Sequence, residues 1–208
     1  PGVSYNYNVL DHKSNNFLAS VHLTKESCGI SFLDVSTGEF YLAQGNLEYI
    51  DKLMQSFNPG EVLFQKNKGR LFKDSFQEKF YSYGLEDWVY SEDFAKEILL
   101  KHFGTSSLKG FGIESLSSGI IAAGAALHYL AETQHDKVQH ITSVSRIEED
   151  HYVWLDKFTV RNLEIFSSPY EKGTPLIHIL DKNVSPMGSR MLKRWLALPL
   201  KNIQAIEE

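Results

Sequence analysis

Between residues 16 and 44 the order of apolar and polar positions marks out three successive strands. NFLASVHL places Phe17, Ala19, Val21 and Leu23 on one face, ISFLDV is a short apolar run, and EFYLA is rich in aromatics. Ser36-Thr37-Gly38 is short enough for a tight hairpin turn between the second and third strands, and Lys25-Glu26-Ser27 can turn the first into the second. An antiparallel meander is expected.

The period then changes. Leu47, Ile50, Leu53, Met54 and Phe57 fall on one helical face, and Asn58-Pro59-Gly60 stops the helix. EVLFQ reads as a buried strand, residues 70–80 as a weaker helix, and residues 84–90 as an extended segment. Ser91 stands as the N-cap of a further helix. Glu92 and Asp93 lie in its first turn, Phe94, Ile98 and Leu99 face inward, and Gly104 ends it. Ser117 or Ser118 can cap the next helix, residues 119–134, whose Ala and Gly content lets a neighbouring backbone approach closely. This helix is read as closing a first domain. Three antiparallel strands followed by alternating helix and strand is the element order of the ribonuclease H-like fold, although order alone leaves other α/β topologies open.

A polar link over residues 133–139 leads to a short extended piece near residues 152–155 and then to helical segments, so the second region is expected to be mainly α. Ser185 as N-cap with Pro186 at the first helical position starts one helix, and Pro199 stops it. Within it Met187, Met191, Leu192, Trp195 and Leu196 form an apolar stripe. Arg190, Lys193 and Arg194 lie on the opposite side, a face expected to be solvated or, as weaker readings, to touch DNA phosphates or another domain.

Composition narrows the picture only modestly. Apolar residues at 42% and charged residues at 23% are those of an ordinary folded protein. A net charge of −5 argues against a chain that neutralises many phosphates by itself. The longest apolar run, GIIAAGAAL, is too short for a membrane span. A single cysteine, Cys28, suits a reducing compartment, and cytoplasmic location is expected. The opening Pro1-Gly2 and the unfinished helical pattern NIQAIEE suggest a piece of a longer protein.

Candidate chemistry is sparse. A ribonuclease H-like nuclease needs convergent carboxylates for divalent metal, but the first strand carries neither Asp nor Glu. Asp34 and Glu39 flank the hairpin turn, where solvated charge is common. His128, Glu132 and His135 share one helical face at metal-ligand spacing, yet exposed polar residues explain them as well; His140 would join only after a chain reversal. Lys109-Gly110-Phe111-Gly112 lacks the third glycine of a dinucleotide fingerprint, and no P-loop pattern or nucleophile elbow occurs. No catalytic, cofactor-binding or metal residue is therefore assigned.

Two longer strings carry a resemblance. DKNVSPMGSRMLKRWLALPL (residues 181–200) is similar to the start of the core domain of the MutS family, and LDKFTVRNLEI (residues 155–165) resembles that family's Asp-x-x-Thr-x-Arg-Asn-Leu-Glu segment. FGTSSLKGFGIE, AAGAALHYLAETQ and LDVSTGEF resemble its connector domain. The resemblance implies a link from an absent mismatch-reading domain over residues 1–8, a ribonuclease H-like connector over 9–139 and the N-terminal part of the core over 140–208. It further implies a non-catalytic part of a DNA mismatch-recognition ATPase that joins mismatch reading to the ATPase core and helps dock MutL; the alternative is a metal-dependent nuclease. ATP and magnesium are expected elsewhere in the full-length protein, as are contact with mismatched DNA and homodimer formation. Asp156, Thr159, Arg161, Asn162, Leu163 and Glu164 match one motif. Asp181, Pro186, Met187, Gly188, Ser189, Arg190 and Trp195 match the other, and both sets are read as structural.

Overall fold

In a computed structural model, residues 13–76, 80–134, 138–170 and 172–207 are described. They fall into two units, residues 16–147 and residues 148–207 together with 13–15.

The first unit is built on the expected meander. Strands β1 (Phe17–His22), β2 (Cys28–Asp34) and β3 (Glu39–Gly45) pair antiparallel, with Leu18 opposite Leu33 and Leu33 opposite Phe40. Thr24 Oγ1 accepts from the Ser27 N–H at 3.0 Å in the first turn, and the Gly38 N–H donates to the Asp34 carbonyl at 2.8 Å in the second. Strand β4 (Glu61–Gln65) adds parallel to β1, β5 (Ser82–Leu85) parallel to β4, and β6 (Ser145–Arg146) parallel to β3. The order β5-β4-β1-β2-β3-β6 is a ribonuclease H-like sheet. Residues 140–147 fold with this unit, since β6 follows the helix that sequence pattern alone reads as the last element.

Helices cover both faces of the sheet, so β1 is buried at every position and not only at alternate ones. Helix α1 (Leu47–Phe57) begins where the Asn46 side chain accepts from the Tyr49 N–H at 2.8 Å, and ends at left-handed Asn58. Its Ile50, Leu53 and Met54 are buried, but Leu47, expected inward, is 41% exposed in the first turn. Helix α2 (Gly69–Phe76) stacks Phe72 on Phe64 at 4.6 Å; residues 77–79 of the expected helix lie outside the described residues.

Residues 84–90 differ from the extended expectation. Beyond β5, Asp87–Tyr90 is a 3-10 turn, which sends the consecutive side chains Val89 and Tyr90 into the core together. An extended chain would point them to opposite sides. Helix α3 (Glu92–Phe103) starts after Ser91, whose side chain makes no capping bond, and stops at left-handed Gly104. Helix α4 (Ser117–Gln134) is capped by neither serine expected to do so. The Gln44 side-chain oxygen accepts from the Ser118 and Gly119 N–H groups at 2.8 and 3.4 Å instead. At Gly124 a Cβ would stand 2.5 Å from Ala95 Cα, so only glycine permits this approach of α4 to α3. No described helix is long and apolar enough to cross a membrane.

The second unit is mainly helical, as expected: α5 (Lys157–Asn162), α6 (Leu176–Leu180), α7 (Pro186–Ala197) and α8 (Ile203–Glu207). Tyr152 bridges Leu200, with the Val153 N–H donating to the Pro199 carbonyl at 2.7 Å.

Candidate functional site

On a ribonuclease H-like scaffold the first strand is the place to look for metal-binding carboxylates. Here the β1 side chains that alternate with Phe17, Ala19 and Val21 are Leu18, Ser20 and His22. Ser20 Oγ and Tyr90 OH share a buried hydrogen bond of 3.1 Å, and the His22 ring stacks on Tyr90 at 6.0 Å. Burial, with help from nearby Lys68, pushes His22 down to about 4, so the ring is neutral near pH 7. Burial likewise raises Tyr90 far above the ordinary phenol range. His22 Nδ1 and Gln65 Oε1 are buried without hydrogen-bond partners, one step along the parallel register from Val21 opposite Phe64.

Asp34 corrects the expectation of a solvated turn residue. It is fully buried, accepting from the Asn16 N–H at 3.1 Å and from the Ser36 N–H and Oγ–H at 2.9 and 2.7 Å. Its carboxylate stabilises the turn by meeting backbone donors that the hairpin leaves over. Glu39 is half-buried and accepts from Thr37 Oγ1 at 3.3 Å and Tyr41 OH at 3.2 Å. Among the described residues no group of three His, Cys, Asp or Glu side chains is placed to hold a metal ion. Nothing in this geometry supports two-metal cleavage.

His128 is not an exposed surface residue either. Its side chain is 14% exposed, edge-on to Trp88 at 5.2 Å and to Phe94 at 5.3 Å, with Nε2 3.4 Å from Glu132. His135 lies outside the described residues. His140 belongs to another part of the unit, where its Nε2 donates to the Val35 carbonyl at 2.6 Å beside the β2–β3 turn.

The motif residues of the second unit form local clusters. Asp156 caps α5, accepting from the Thr159 N–H at 2.6 Å, which accounts for the Asp-x-x-Thr spacing. Arg161, Asn162 and Leu163 are exposed at the end of that helix. Glu164 is left-handed at φ +47°, and its carbonyl accepts from the Leu176 N–H at 2.8 Å. Asp181 accepts from Ser189 Oγ at 2.9 Å, the Asn183 N–H at 3.1 Å and Asn183 Nδ2 at 3.0 Å. The Ser189 and Asn183 bonds hold its carboxyl below the usual range. Ser185 Oγ accepts from the Gly188 N–H at 3.2 Å, and a Cβ at Gly188 would stand 2.8 Å from Asn183 Oδ1. Asp181, Asn183, Ser185, Gly188 and Ser189 thus together fix the start of α7. Asn183 was not among the expected site residues, although Asp-x-Asn before a Ser-Pro is a legible turn signal.

The two sides of α7 differ from the sequence expectation in part, since Leu192 and Leu196 of the apolar stripe are half-buried. Met187, Met191 and Trp195 are 70%, 42% and 58% exposed, whereas Arg190, Lys193 and Arg194 are half-buried and engaged. On the basic side Ser14 Oγ accepts from Lys193 Nζ, and at the start of the helix Lys13 Nζ stands 4.0 Å from Asp181. No described segment of the unit covers the Met and Trp side to a comparable degree.

The fold and clusters define a chain with a ribonuclease H-like first unit followed by a mainly helical second one. Residues 16–142 match the model of MutS domain II, and residues 158–208 match MutS domain III. Proteins named DNA mismatch repair protein MutS are similar along the whole chain: 61% identity over 207 residues in Flavobacterium johnsoniae, 57% over 208 in Cytophaga hutchinsonii and 55% over 208 in Bacteroides fragilis. Each alignment covers 100% of this chain and 24% of the relative, so the chain spans about a quarter of their length. The chain belongs to the MutS family.

Proposed function

We propose that this chain serves as a non-catalytic part of a DNA mismatch-repair ATPase, linking mismatch reading to the ATPase core and helping to dock MutL. The observation that carries the reading is the unbroken match to relatives named for mismatch repair, through domains II and III in order. Residues 1–8 act as the link, the ribonuclease H-like unit as connector, and the helical unit as the beginning of the core. ATP, magnesium, mismatched DNA and a second subunit are engaged through the full-length protein. The residues of this chain contain no P-loop, and no step of ATP chemistry is assigned to them.

The motif residues from Asp156 to Trp195 set the geometry of the core segment. Arg190, Lys193 and Arg194 serve as contacts within or between domains and not as a phosphate-facing patch, since half-buried side chains with partners are poorly placed to release counterions. MutL docks on the exposed side of α3 and the neighbouring loop. The setting is the bacterial cytoplasm, where the buried thiol of Cys28 stays reduced.

The test is a chimera in which this chain replaces the matching segment of the full-length Flavobacterium johnsoniae relative. Restoration of a low mutation frequency in a repair-deficient host is expected. A folded, normally expressed chimera that leaves the host a mutator overturns the reading. Cross-linking from Lys96 and Lys101 to MutL checks the docking site separately.

A further inference from the structure

The first unit carries an aromatic strip that its core does not consume. Tyr81, Tyr83 and Trp88 are 62%, 52% and 56% exposed, yet the latter two are held in place. Tyr83 lies against Tyr129 at 5.8 Å, and Trp88 stands edge-on to Phe94 at 5.0 Å and to His128. Exposed but immobilised Trp and Tyr side chains provide contact area with little entropy left to lose, the property of interface anchors.

The strip runs along a sheet edge. Among the described residues β5 is the terminal strand of the sheet order, and the Val62 N–H donates to the Tyr81 carbonyl at 2.9 Å. With Val62 opposite Ser82 and Phe64 opposite Gly84, this phase directs the N–H groups of Tyr83 and Leu85 toward β4. The backbone groups of Ser82 and Gly84 therefore face outward, the arrangement that accepts an added strand. Charge selects what is added. Between Phe80 and Glu97 the sequence holds the exposed acids Glu86, Asp87, Glu92, Asp93 and Glu97; Glu86 is paired with Lys66 and Glu92 with Lys96, each at 2.6 Å, and Asp87, Asp93 and Glu97 leave the strip negative beyond those pairs.

We propose that the β5 edge and Trp88 dock an extended, lysine- or arginine-bearing segment of a partner protein, which adds to the sheet as a further strand. A second copy of this chain would bring the acidic strip against itself, and a nucleic acid would bring phosphates against it. Glu92, Asp93 and Glu97 of the strip lie on α3, whose exposed side the MutL reading also uses, so the two are told apart by Ser82→Pro, which changes β5 alone.

The experiment titrates the 208-residue chain with blocked octapeptides that alternate Lys or Arg with Val, Phe or Leu, followed by backbone amide NMR. Saturable shifts at residues 80–88 and slowed exchange at Ser82 and Gly84 are expected, weakening as salt rises. Trp88→Ala should weaken binding about tenfold, and Ser82→Pro, which removes an outward N–H from an edge strand, should abolish it. Asp87→Lys with Asp93→Lys, both at exposed positions, provides a variant that leaves the aromatic packing intact and should also lose the peptide. The proposal is overturned if no peptide binds at millimolar concentration, if Glu-bearing counterparts bind equally, or if oligo-dT competes at the same residues. Self-association that Trp88→Ala abolishes would overturn it in favour of a second copy.

Discussion

The two units bury apolar side chains to very different extents. In the first, Leu18, Leu33, Leu42 and Leu63 are fully buried under α3 and α4, and the other side of the sheet is filled by Phe32, Ile50, Leu53 and Met54. In the second, Val184, Met187, Trp195 and Ile203 remain exposed while Ser189 is fully buried beside Asp181. The first unit completes a large core, whereas the second buries only a few apolar side chains, among them Ile165, Ile177 and Leu198, and adds caps and turns to them. A core of interlocking side chains loses several kcal/mol when one is cut back, but a helix start held by hydrogen bonds loses about one per cap.

The sharpest way to break the comparison is therefore a truncation in the first unit. Leu63→Ala should lower its stability by about 3 kcal/mol, read as faster amide exchange across β1, β2 and β4, with amide exchange in α7 unchanged. Equal loss of protection in both units would show that they unfold as one and that the contrast is false.

Acid provides a second, smaller lever confined to the first unit. His22 is held at about 4 by burial and Lys68, while in the unfolded chain it titrates near 6.5. The depressed folded value means that the unfolded state binds the extra proton between these limits. Stability from this group is full above pH 6.5 and is lost as pH falls toward 4, by about 2 kcal/mol allowing for residual screening. His22→Phe keeps a ring on Tyr90 and should flatten that part of the pH profile. An unchanged profile would mean that other groups carry the acid sensitivity.

In the second unit Ser185→Ala removes the bond to the Gly188 N–H and should cost about 1 kcal/mol, seen as faster amide exchange over the first turn of α7 alone. Ser185→Thr should restore most of it.

Much of the first unit is legible in sequence because its signals are local. The alternation around Phe17, the Ser36-Thr37-Gly38 turn and the stop at Asn58 each act within a few residues, and together they set the ribonuclease H-like order. What is not legible depends on distant partners. Gln44 caps α4 from 74 positions away, Asp34 is buried because Asn16 and Ser36 reach it, and Val89 and Tyr90 turn together because the core lies on one side. The faces of α7 illustrate the same limit. Periodicity locates the apolar stripe from Met187 to Trp195, but it cannot say which side residues 13–15 will occupy. The family strings, by contrast, were readable because Asp156, Asp181, Ser185 and Gly188 act on neighbours in the chain.

The smallest effect is the most discriminating. Trp195 is 58% exposed, so Trp195→Ser should change the stability of this chain by less than about 0.5 kcal/mol. When the chain replaces the matching segment of the full-length Flavobacterium johnsoniae relative, the apolar side of α7 gains the chance of cover from the remaining three quarters of that protein. There the same substitution should cost about 3 kcal/mol and raise amide exchange along α7. The pair of measurements separates an apolar face that is merely tolerated from one that belongs to a larger core: a negligible effect in both settings would show that the exposure of Met187, Met191 and Trp195 is a property of the helix itself, and the difference between the units would then be one of kind and not of missing cover.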